Sequence, residues 1–474
     1  MSNFSEETLV SLKHKITSGE VSAQEVIESV GTAIEQLNPT IGGYLAYDTE
    51  KAITEAKDAS SSSLLAGLPI AIKDNINVQG EQCTCSSKFL SKGYISPYNA
   101  TAINHLRAQG GIPFGRLNMD EFAMGSATET SALLKTVNPK AHDRIPGGSS
   151  GGSAAVVGGN LAIAALGSDT GGSIRQPASH CGIVGMKPSY GMVSRYGLVA
   201  FASSLDQIGP LTKNVDDAAL LLNAISGYDP QDSTSQKFEQ TDFTQGLDGD
   251  IKGMKIGIPA EFFGEGLDPR VKTIVEEKIT ALENAGAEIV EIALPHAKYA
   301  VAVYYIVAPA EASSNLSRFD GVRYGKRAEA PEDVLDMYVR SRSEGFGPEV
   351  KRRIILGTFV LSSGYADAYY KKAQKVRTLI KQDFDQAFEK VDAIVTPVTP
   401  EPARKIGENA DDPIKEYLAD IYTIPANMAG IPAISIPAGE VEEDGAQLPV
   451  GIQVMTAYGK DHEALKLAKA VEGL

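Results

Sequence analysis

The sequence predicts an α/β protein built around one large mixed β-sheet that helices cover on both faces. Three observations lead to this prediction. Short apolar runs of strand length alternate with amphipathic helical segments along most of the chain. No internal repeat interrupts that alternation. The composition, 43% apolar and 22% charged over 474 residues, is that of a globular protein with a sizeable core. We expect a single domain over residues 1–474.

The amino-terminal segment, about residues 1–60, is predicted to be helical. Ser22 to Glu25 form a capping box, an apolar helix face begins at Val26, and Asn38-Pro39 should end the helix. The apolar run 68–72 predicts a short buried strand with Lys73 at or just past its end. Residues 147–209 are rich in glycine and serine but alternate with apolar runs, which favours closely packed backbone over a linker.

The second half continues the alternation after a polar, turn-rich stretch at about 226–252, which is predicted to be a surface connection. A β-α-β unit should follow, with a strand at 255–259, a helix at 268–284 and a strand at 288–294. The remaining predicted elements are a long helical stretch over about 347–390, strands at 393–395, 433–436 and 450–454, and a closing amphipathic helix over 461–471.

Charge and composition restrict the function. The 44 basic and 60 acidic residues give a net charge of −16, which argues against a broad nucleic-acid surface or an anionic-membrane surface on this chain. The amino terminus lacks the pattern of a signal peptide, and no apolar stretch reaches the length of a membrane span. Three cysteines cannot form a disulfide framework and lack metal-ligand spacing. We therefore expect a soluble cytoplasmic protein with no bound metal.

One glycine-serine motif, Gly147 to Gly151, matches the G-x-S-x-G pattern of a nucleophile elbow. An elbow needs a strand directly before it, and residues 138–146 contain two prolines and several charges, which disfavour a buried strand. It also needs a later histidine, and near the end of the chain only His462 is available. A histidine-based triad is therefore disfavoured, and no phosphate-binding P-loop pattern occurs.

A second motif, Ser168 to Ala178, places Ser173 24 residues beyond Ser149. Together with Lys73 in the segment 67–75, this spacing resembles the amidase signature family over nearly the whole chain. The resemblance implies an amidase-type fold and a serine amide hydrolase. In that family the residue at Ser173 attacks the amide carbonyl, the residue at Ser149 relays its proton, and the residue at Lys73 is the final base. Burial would supply the neutral lysine that this role needs.

The resemblance also implies a cis peptide bond before Ser149. It further implies an oxyanion hole formed by backbone N–H groups of the nucleophile loop. These donors would be those of Thr170, Gly171, Gly172 and Ser173. Taken singly, each serine is more often a helix cap than a catalyst. Arg175 is expected to brace the loop by pairing with Asp169, so it stays outside the catalytic set.

Segments 309–325 and 345–354 resemble the A subunits of glutamyl-tRNA(Gln) amidotransferases, a branch of the same family. That resemblance implies that Tyr304, Arg353 and Asp420 hold glutamine. A bidentate arginine suits the α-carboxylate, and a carboxylate suits the α-ammonium. Three alternatives remain open at these positions. Arg353 could lie on a solvated helix face, Tyr305 could replace Tyr304, and Asp420 could cap a helix.

The implied role is to release ammonia from glutamine for converting Glu-tRNA(Gln) to Gln-tRNA(Gln), and in some organisms Asp-tRNA(Asn) to Asn-tRNA(Asn). The resemblance implies a heterotrimer in which a B subunit binds tRNA and uses ATP and Mg, while a small C subunit joins the parts. This chain itself would need no cofactor and would associate with tRNA only indirectly. The alternatives are a stand-alone amidase for small amides, a non-catalytic assembly subunit and a nucleic-acid-binding module.

Overall fold

The computed structural model describes residues 3–91, 93–239, 241–409 and 412–474. Within those ranges, eleven strands form one sheet. The strands are β1 (Tyr44–Ala46), β2 (Pro69–Lys73), β3 (Ile112–Leu117), β4 (Ala164–Asp169), β5 (Val184–Lys187), β6 (Gln207–Thr212), β7 (Lys255–Pro259), β8 (Glu288–Ile292), β9 (Ala393–Pro397), β10 (Ala433–Glu443) and β11 (Ala446–Thr456).

Helices account for most of the remaining regular structure. They are α1 (Leu9–Ser18), α2 (Ala23–Ile41), α3 (Thr49–Ala56), α4 (Thr101–Ala108), α5 (Gly151–Gly158), α6 (Arg175–Cys181), α7 (Val215–Ile225), α8 (Pro269–Asn284), α9 (Ala300–Asn315), α10 (Val334–Gly345), α11 (Pro348–Leu361), α12 (Tyr370–Ala387), α13 (Pro413–Leu418), α14 (Ile424–Ala429) and α15 (Asp461–Gly473). Short 3-10 turns lie at Phe4–Glu6, Glu121–Ala123, Ala260–Phe263, Ala297–Tyr299 and Leu316–Arg318.

The sheet is mixed, as predicted. Its strand order is β1-β3-β2-β4-β6-β5-β10-β11-β9-β7-β8. Strand β2 runs parallel to β3 and β4, and β7 runs parallel to β8 and β9. The strands between these two parallel groups pair antiparallel, including the hairpin of β10 and β11. The chain therefore contributes one parallel group from its first half and another from its second half to a continuous sheet.

The central strands show why the sheet must be covered on both faces. Every residue of β2, β4, β5, β6 and β9 is buried. Successive side chains of a strand point to opposite faces, so a strand that is buried throughout has protein on both sides. The α/β class with helices on both faces of one large mixed sheet is confirmed.

The predicted amino-terminal capping box is confirmed, but the predicted end of that helix is wrong. The N–H of Glu25 donates to Ser22 Oγ at 3.2 Å, and the N–H of Ser22 donates to Glu25 Oε2 at 2.8 Å. Helix α2 then continues through Pro39 to Ile41. A proline this close to a helix end removes one hydrogen bond of the last turn. The helix ends instead at Gly42, where φ is +67°.

In the second half, the predicted β-α-β unit is confirmed by β7, α8 and β8. The long helical stretch predicted over about 347–390 is confirmed, but it consists of two helices. The structure breaks it into α11 and α12 at 362–369, where Gly364 adopts a φ of +88°. Strands β10 and β11 are each 11 residues long, which is longer than the strands predicted at 433–436 and 450–454. Between α7 and β7, the described part of 226–252 contains no helix or strand.

The three cysteines, Cys83, Cys85 and Cys181, are free and buried, as expected for thiols packed as small apolar side chains. Of the helices in the described ranges, none has the length and apolar character needed to cross a membrane.

Candidate active site

Lys73 is the last residue of β2 and is completely buried. Its Nζ donates hydrogen bonds of 2.8 Å to Ser149 Oγ and 2.8 Å to Ser150 Oγ, and one of 3.3 Å to the carbonyl oxygen of Ser168. Burial lowers the pKa of Lys73 to about 7, although the negative charge of Asp120 acts in the opposite direction. Burial therefore makes the neutral form of Lys73 far more accessible than that of an exposed lysine, and its nitrogen lies next to two serine hydroxyls.

Ser149 lies in the loop that enters α5, and the peptide bond between Gly148 and Ser149 is cis. The loop is held from two directions. The N–H of Gly148 donates to Gln176 Oε1 at 2.8 Å, and the N–H of Asp120 donates to the carbonyl oxygen of Ser149 at 3.2 Å. A Cβ at position 148 would lie 2.1 Å from Asp120 Oδ2 and 2.7 Å from the nitrogen of Ala127. Only glycine therefore fits at position 148.

Ser173 lies in the loop between β4 and α6 and is 7% exposed. Its carbonyl oxygen accepts a hydrogen bond from the N–H of Ser150 at 3.1 Å, which places the two serine loops side by side. In the described part of the chain, the Ser173 hydroxyl makes no hydrogen bond. The structure thus joins Lys73 to Ser149 directly. It brings Ser173 into the same site without a hydrogen bond from its hydroxyl to Ser149.

The loop that carries Ser173 is organised by Asp169, the last residue of β4. Asp169 accepts hydrogen bonds from the N–H groups of Gly172 (3.0 Å) and Ile174 (3.1 Å), and it pairs with Arg175 through Oδ1 and Nη2 at 3.0 Å. Burial opposes ionisation, but the charge and hydrogen bonds of Arg175 outweigh it and lower the pKa of Asp169 to about 2. The expected bracing role of Arg175 agrees with this ion pair.

The expected oxyanion donors differ in their availability. The N–H of Gly172 is already used by Asp169. The N–H groups of Thr170, Gly171 and Ser173 have no hydrogen-bond partner among the residues that the structure describes. Free N–H groups on a glycine-containing loop can approach a carbonyl oxygen closely. The geometry therefore favours these three donors over Gly172.

Tyr304, Arg353 and Asp420 come from three separate elements and are all buried. The ring of Tyr304 lies against Gly171, since a Cβ at position 171 would be 2.9 Å from two of its ring carbons. Tyr305 instead stacks on Tyr417, with ring centroids 3.9 Å apart. Of the two tyrosines, Tyr304 is the one beside the nucleophile loop. Arg353 points inward from α11 and does not lie on a solvated helix face.

Asp420 has one satisfied and one unsatisfied carboxylate oxygen. Its Oδ2 accepts a hydrogen bond of 2.5 Å from Ser126 Oγ, while its buried Oδ1 has no hydrogen-bond partner among the described residues. That free oxygen faces the nucleophile loop, because a Cβ at Gly172 would lie 3.1 Å from it. Burial raises the pKa of Asp420 to about 8. A buried carboxylate oxygen without a partner is a position where a cationic ligand group would gain most.

A cavity of about 810 Å³ lies beside these residues. The residues that line the cavity include Ser126, Glu349, Arg353 and Tyr417. The three residues Lys73, Ser149 and Ser173 are not among the described residues that line it. The cavity therefore adjoins the side of the site where Arg353 and Asp420 lie. Its walls carry charged side chains of both signs, which suits a small polar ligand better than an apolar one.

Several residues that organise the site carried no recognisable sequence signal. Asp120 accepts hydrogen bonds from the N–H groups of Thr128 (2.8 Å) and Thr130 (3.2 Å), which fixes the loop that carries Ser126. Gln176 joins the Ser126 carbonyl oxygen to the N–H of Gly148, with distances of 2.9 and 2.8 Å. In contrast, His462 lies away from the serines, and its Nε2 is 2.7 Å from the carbonyl oxygen of Gln245.

The chain is similar to known proteins over nearly its whole length. The family model described as Amidase matches residues 25–465. The chain is 58% identical over 464 residues to the A subunit of a glutamyl-tRNA(Gln) amidotransferase from Akkermansia muciniphila, and the match covers 98% of each chain. It is 41% identical to the solved A subunit of glutamyl-tRNA(Gln) amidotransferase from Thermotoga maritima, with a TM-score of 0.82 over 100% of this chain and 95% of that one.

The native peptide amidase of Stenotrophomonas maltophilia is more distant. It is 26% identical, with a TM-score of 0.79 over 98% of this chain and 96% of that one. The chain belongs to the amidase family. Within that family it is similar, over nearly its whole length, to the A subunits of glutamyl-tRNA(Gln) amidotransferases.

Proposed function

We propose that this chain hydrolyses the side-chain amide of free glutamine with Ser173, Ser149 and Lys73. The observation that carries the proposal is the 2.8 Å hydrogen bond between the buried Lys73 Nζ and Ser149 Oγ, beside the loop that presents Ser173. A serine hydroxyl attacks an amide only when a neighbouring base removes its proton. Neutral Lys73 is the base within reach of Ser149.

In the proposed reaction, Ser173 Oγ forms a bond to the amide carbon as its proton passes to Ser149 Oγ and the Ser149 proton passes to Lys73 Nζ. The carbonyl oxygen becomes an oxyanion, which free N–H groups of the Ser173 loop would stabilise. The C–N bond then breaks, and the nitrogen leaves as ammonia after taking up the proton from Lys73 through Ser149. Water cleaves the acyl-enzyme by the same relay and releases glutamate.

Substrate recognition is proposed to use both charged ends of glutamine. The unpartnered Oδ1 of Asp420 would accept the α-ammonium group, and the guanidinium of Arg353 would bind the α-carboxylate. Tyr304, packed against Gly171, would line the path between these ends and the reacting amide. Binding of the cation would also favour the ionised form of Asp420, whose pKa burial raises to about 8.

The relatives' names support a larger role. We infer that the ammonia serves a tRNA-dependent amidotransferase in the cytoplasm, converting Glu-tRNA(Gln) to Gln-tRNA(Gln) and, in some organisms, Asp-tRNA(Asn) to Asn-tRNA(Asn). In this proposal a B subunit binds the tRNA and uses ATP and Mg, and a small C subunit completes a heterotrimer. The net charge of −16 supports leaving tRNA binding to a partner.

The test is ammonia release from glutamine by this chain, alone and with its candidate partner subunits, beside a Ser173→Ala variant. We expect activity that is lost in the variant, with a decrease of about 10³-fold or more. Stimulation by partners and glutamyl-tRNA would support the amidotransferase role.

The runner-up is a stand-alone amidase for small amides, which the fold shared with a peptide amidase supports. Hydrolysis of simple amides by the lone chain, with glutamine left intact by the full complex, would favour that alternative and contradict the glutaminase proposal.

A further inference from the structure

The guanidinium of Arg353 is held on one side and free on the other. Its side chain is 4% exposed, and its Nε donates a 2.7 Å hydrogen bond to Glu349 Oε1, one turn earlier in α11. Three aromatic rings enclose it, with centroids 5.3 to 5.7 Å from the guanidinium carbon: Phe201, Tyr305 and Tyr417. Within the described ranges, neither terminal nitrogen of Arg353 makes a hydrogen bond. Both therefore remain available to a ligand.

Glu349 has a second partner on a different element. The hydroxyl of Tyr417, in α13, donates to the same Oε1 atom of Glu349 at 3.1 Å. Tyr417 lies just before Asp420 in the chain. One carboxylate oxygen thus joins the helix that carries Arg353 to the segment that carries Asp420. Arg352 also contacts Glu349, through the other carboxylate oxygen.

The charge of Glu349 persists at neutral pH. Burial by itself would raise the pKa of Glu349, but the positive charge of Arg353 and their hydrogen bond lower it below its ordinary value. An ionised carboxylate on Nε restricts the orientation of the planar guanidinium and leaves its two terminal nitrogens without a hydrogen bond among the described residues. Arg353 lines the cavity, so this orientation directs a two-pronged donor toward any ligand there.

We infer that Glu349 is a positioning residue that orients Arg353 and, through Tyr417, sets the separation between the two groups that read the ends of a free α-amino acid. This inference rests on the proposed function, because it assigns the carboxylate end to Arg353 and the ammonium end to Asp420. It goes beyond that function because it names Glu349 as the residue that restricts the site to substrates whose carboxylate and ammonium groups lie a fixed distance apart. When Arg353 and Asp420 are held at a fixed separation, a ligand whose charged groups match that separation binds with less loss of conformational entropy.

The test measures the affinity of three ligands for the full chain in a Ser173→Ala background, by titration calorimetry. The ligands are glutamine, 4-carbamoylbutanoate, which lacks the ammonium group, and 4-aminobutanamide, which lacks the carboxylate. We expect Glu349→Gln to weaken binding of glutamine and 4-carbamoylbutanoate by about tenfold, because the guanidinium of Arg353 is no longer held by a charged partner. Binding of 4-aminobutanamide should stay within about twofold.

Tyr417→Phe tests the link between the two ends. It keeps the ring over Arg353 and removes the hydroxyl that donates to Glu349. We expect glutamine to bind about threefold more weakly, while both single-ended ligands are unaffected because neither depends on the separation. Glu277→Gln, an exposed glutamate-to-glutamine change on α8, is the matched control and should leave all three affinities unchanged.

The outcomes separate this inference from the function on which it rests. If Glu349→Gln weakens all three ligands equally, or none of them, Glu349 is not a positioning residue for the carboxylate end, although glutamine still binds the parent chain. If the Ser173→Ala parent binds none of the three ligands, the assignment of Arg353 and Asp420 to glutamine is itself wrong. Unchanged thermal unfolding of each variant would show that an affinity change does not reflect a damaged fold.

Discussion

At the scale of single residues, Lys73 links burial to chemistry. Its nitrogen is fully buried among hydroxyl and carbonyl oxygens, and burial lowers its pKa to about 7. A protonated Lys73 cannot accept a proton from Ser149. We therefore expect kcat for glutamine hydrolysis to rise with pH as Lys73 loses its proton, measured as ammonia release at saturating glutamine.

Lys73→Arg provides the control for this prediction. Arginine keeps the positive charge but does not lose its proton in the accessible pH range, so kcat should fall by about 10²-fold to 10⁴-fold. A kcat for the unchanged chain that stays constant between about pH 6 and pH 9 would contradict Lys73 as the base.

In Asp420 the protonated form stabilises the fold, whereas the proposed binding of an ammonium group needs the ionised form. Its pKa rises from 3.8 to about 8 on folding, so the folded state holds a proton that the unfolded state releases above about pH 4. Stability from this group is complete below about pH 4 and is lost as pH rises toward about 8. We expect Asp420→Asn to increase the free energy of unfolding by about 1–2 kcal/mol at about pH 8 and by less at about pH 5.

Urea unfolding at the two pH values measures this difference. The same variant should lose glutamine binding, since the amide that replaces the carboxylate carries no negative charge for the ammonium group. An equal gain in stability at both pH values would mean that titration of Asp420 is not the cause.

At the scale of elements, Arg175 joins four pieces of the fold beneath the nucleophile loop. From α6 it pairs with Asp169 at the end of β4. It also donates to the Thr423 carbonyl oxygen (3.0 Å), to Gln453 Oε1 in β11 (2.6 Å) and to Asn427 Oδ1 in α14 (2.5 Å). Its removal would leave the Asp169 charge buried without its main partner. We expect Arg175→Ala to lower the free energy of unfolding by about 3–5 kcal/mol, measured by urea denaturation at about pH 7.

The pH dependence has a definite sign. The pKa of Asp169 falls to about 2 on folding, from 3.8, so its stabilisation is present above about pH 4 and is lost as pH falls toward about 2. Arg270→Ala is the matched control, because Arg270 pairs with Asp268 at the surface and its side chain is 46% exposed. That change should cost less than about 1 kcal/mol. Equal costs for the two variants would contradict the bracing role.

Local sequence patterns predicted the positions of most helices and strands. They failed where the end of a helix depends on its tertiary surroundings. The capping box at Ser22 and the strand at 255–259 were predictable because propensity and periodicity act over a few residues. Pro39 did not end α2, since a helix tolerates a proline whose missing N–H affects only its last turn. The helical stretch predicted over 347–390 was not divided into α11 and α12, although Ser362-Ser363-Gly364 disfavours a helix interior.

At the scale of the whole molecule, the family motifs predicted which residues to examine, but not the residues that support them. Lys73, Ser149 and Ser173 stand in recognisable spacings. Glu349 contacts Tyr417 only after α11 and α13 have packed together, whereas its pairing with Arg353 follows the i,i+4 spacing within α11. Asp120 likewise reaches the Ser149 loop through tertiary placement. Such contacts join residues that are distant in sequence, and a single chain without aligned relatives carries no pattern for them.

The stretch between α7 and β7 offers a test of the single-domain prediction. It contains no helix or strand among its described residues, and Lys237 and Lys252 are exposed. We expect limited trypsin digestion to cut there first and to leave two fragments that co-elute in gel filtration, because β5 pairs with β10 across the cut. Separation of the fragments without denaturant would indicate two independent domains.

The position of the last hairpin in the sheet has a consequence for biosynthesis. Strands β1 to β6 and strands β7 to β9 are connected within the described sheet only through β10 and β11, which follow all nine of them in the chain. Until residues 433–456 have been synthesised, the sheet of a nascent chain therefore consists of two groups of strands that do not hydrogen-bond to each other. Under the proposed function, a nascent chain that lacks β10 and β11 would have its two groups of strands unjoined in the sheet that supports the site.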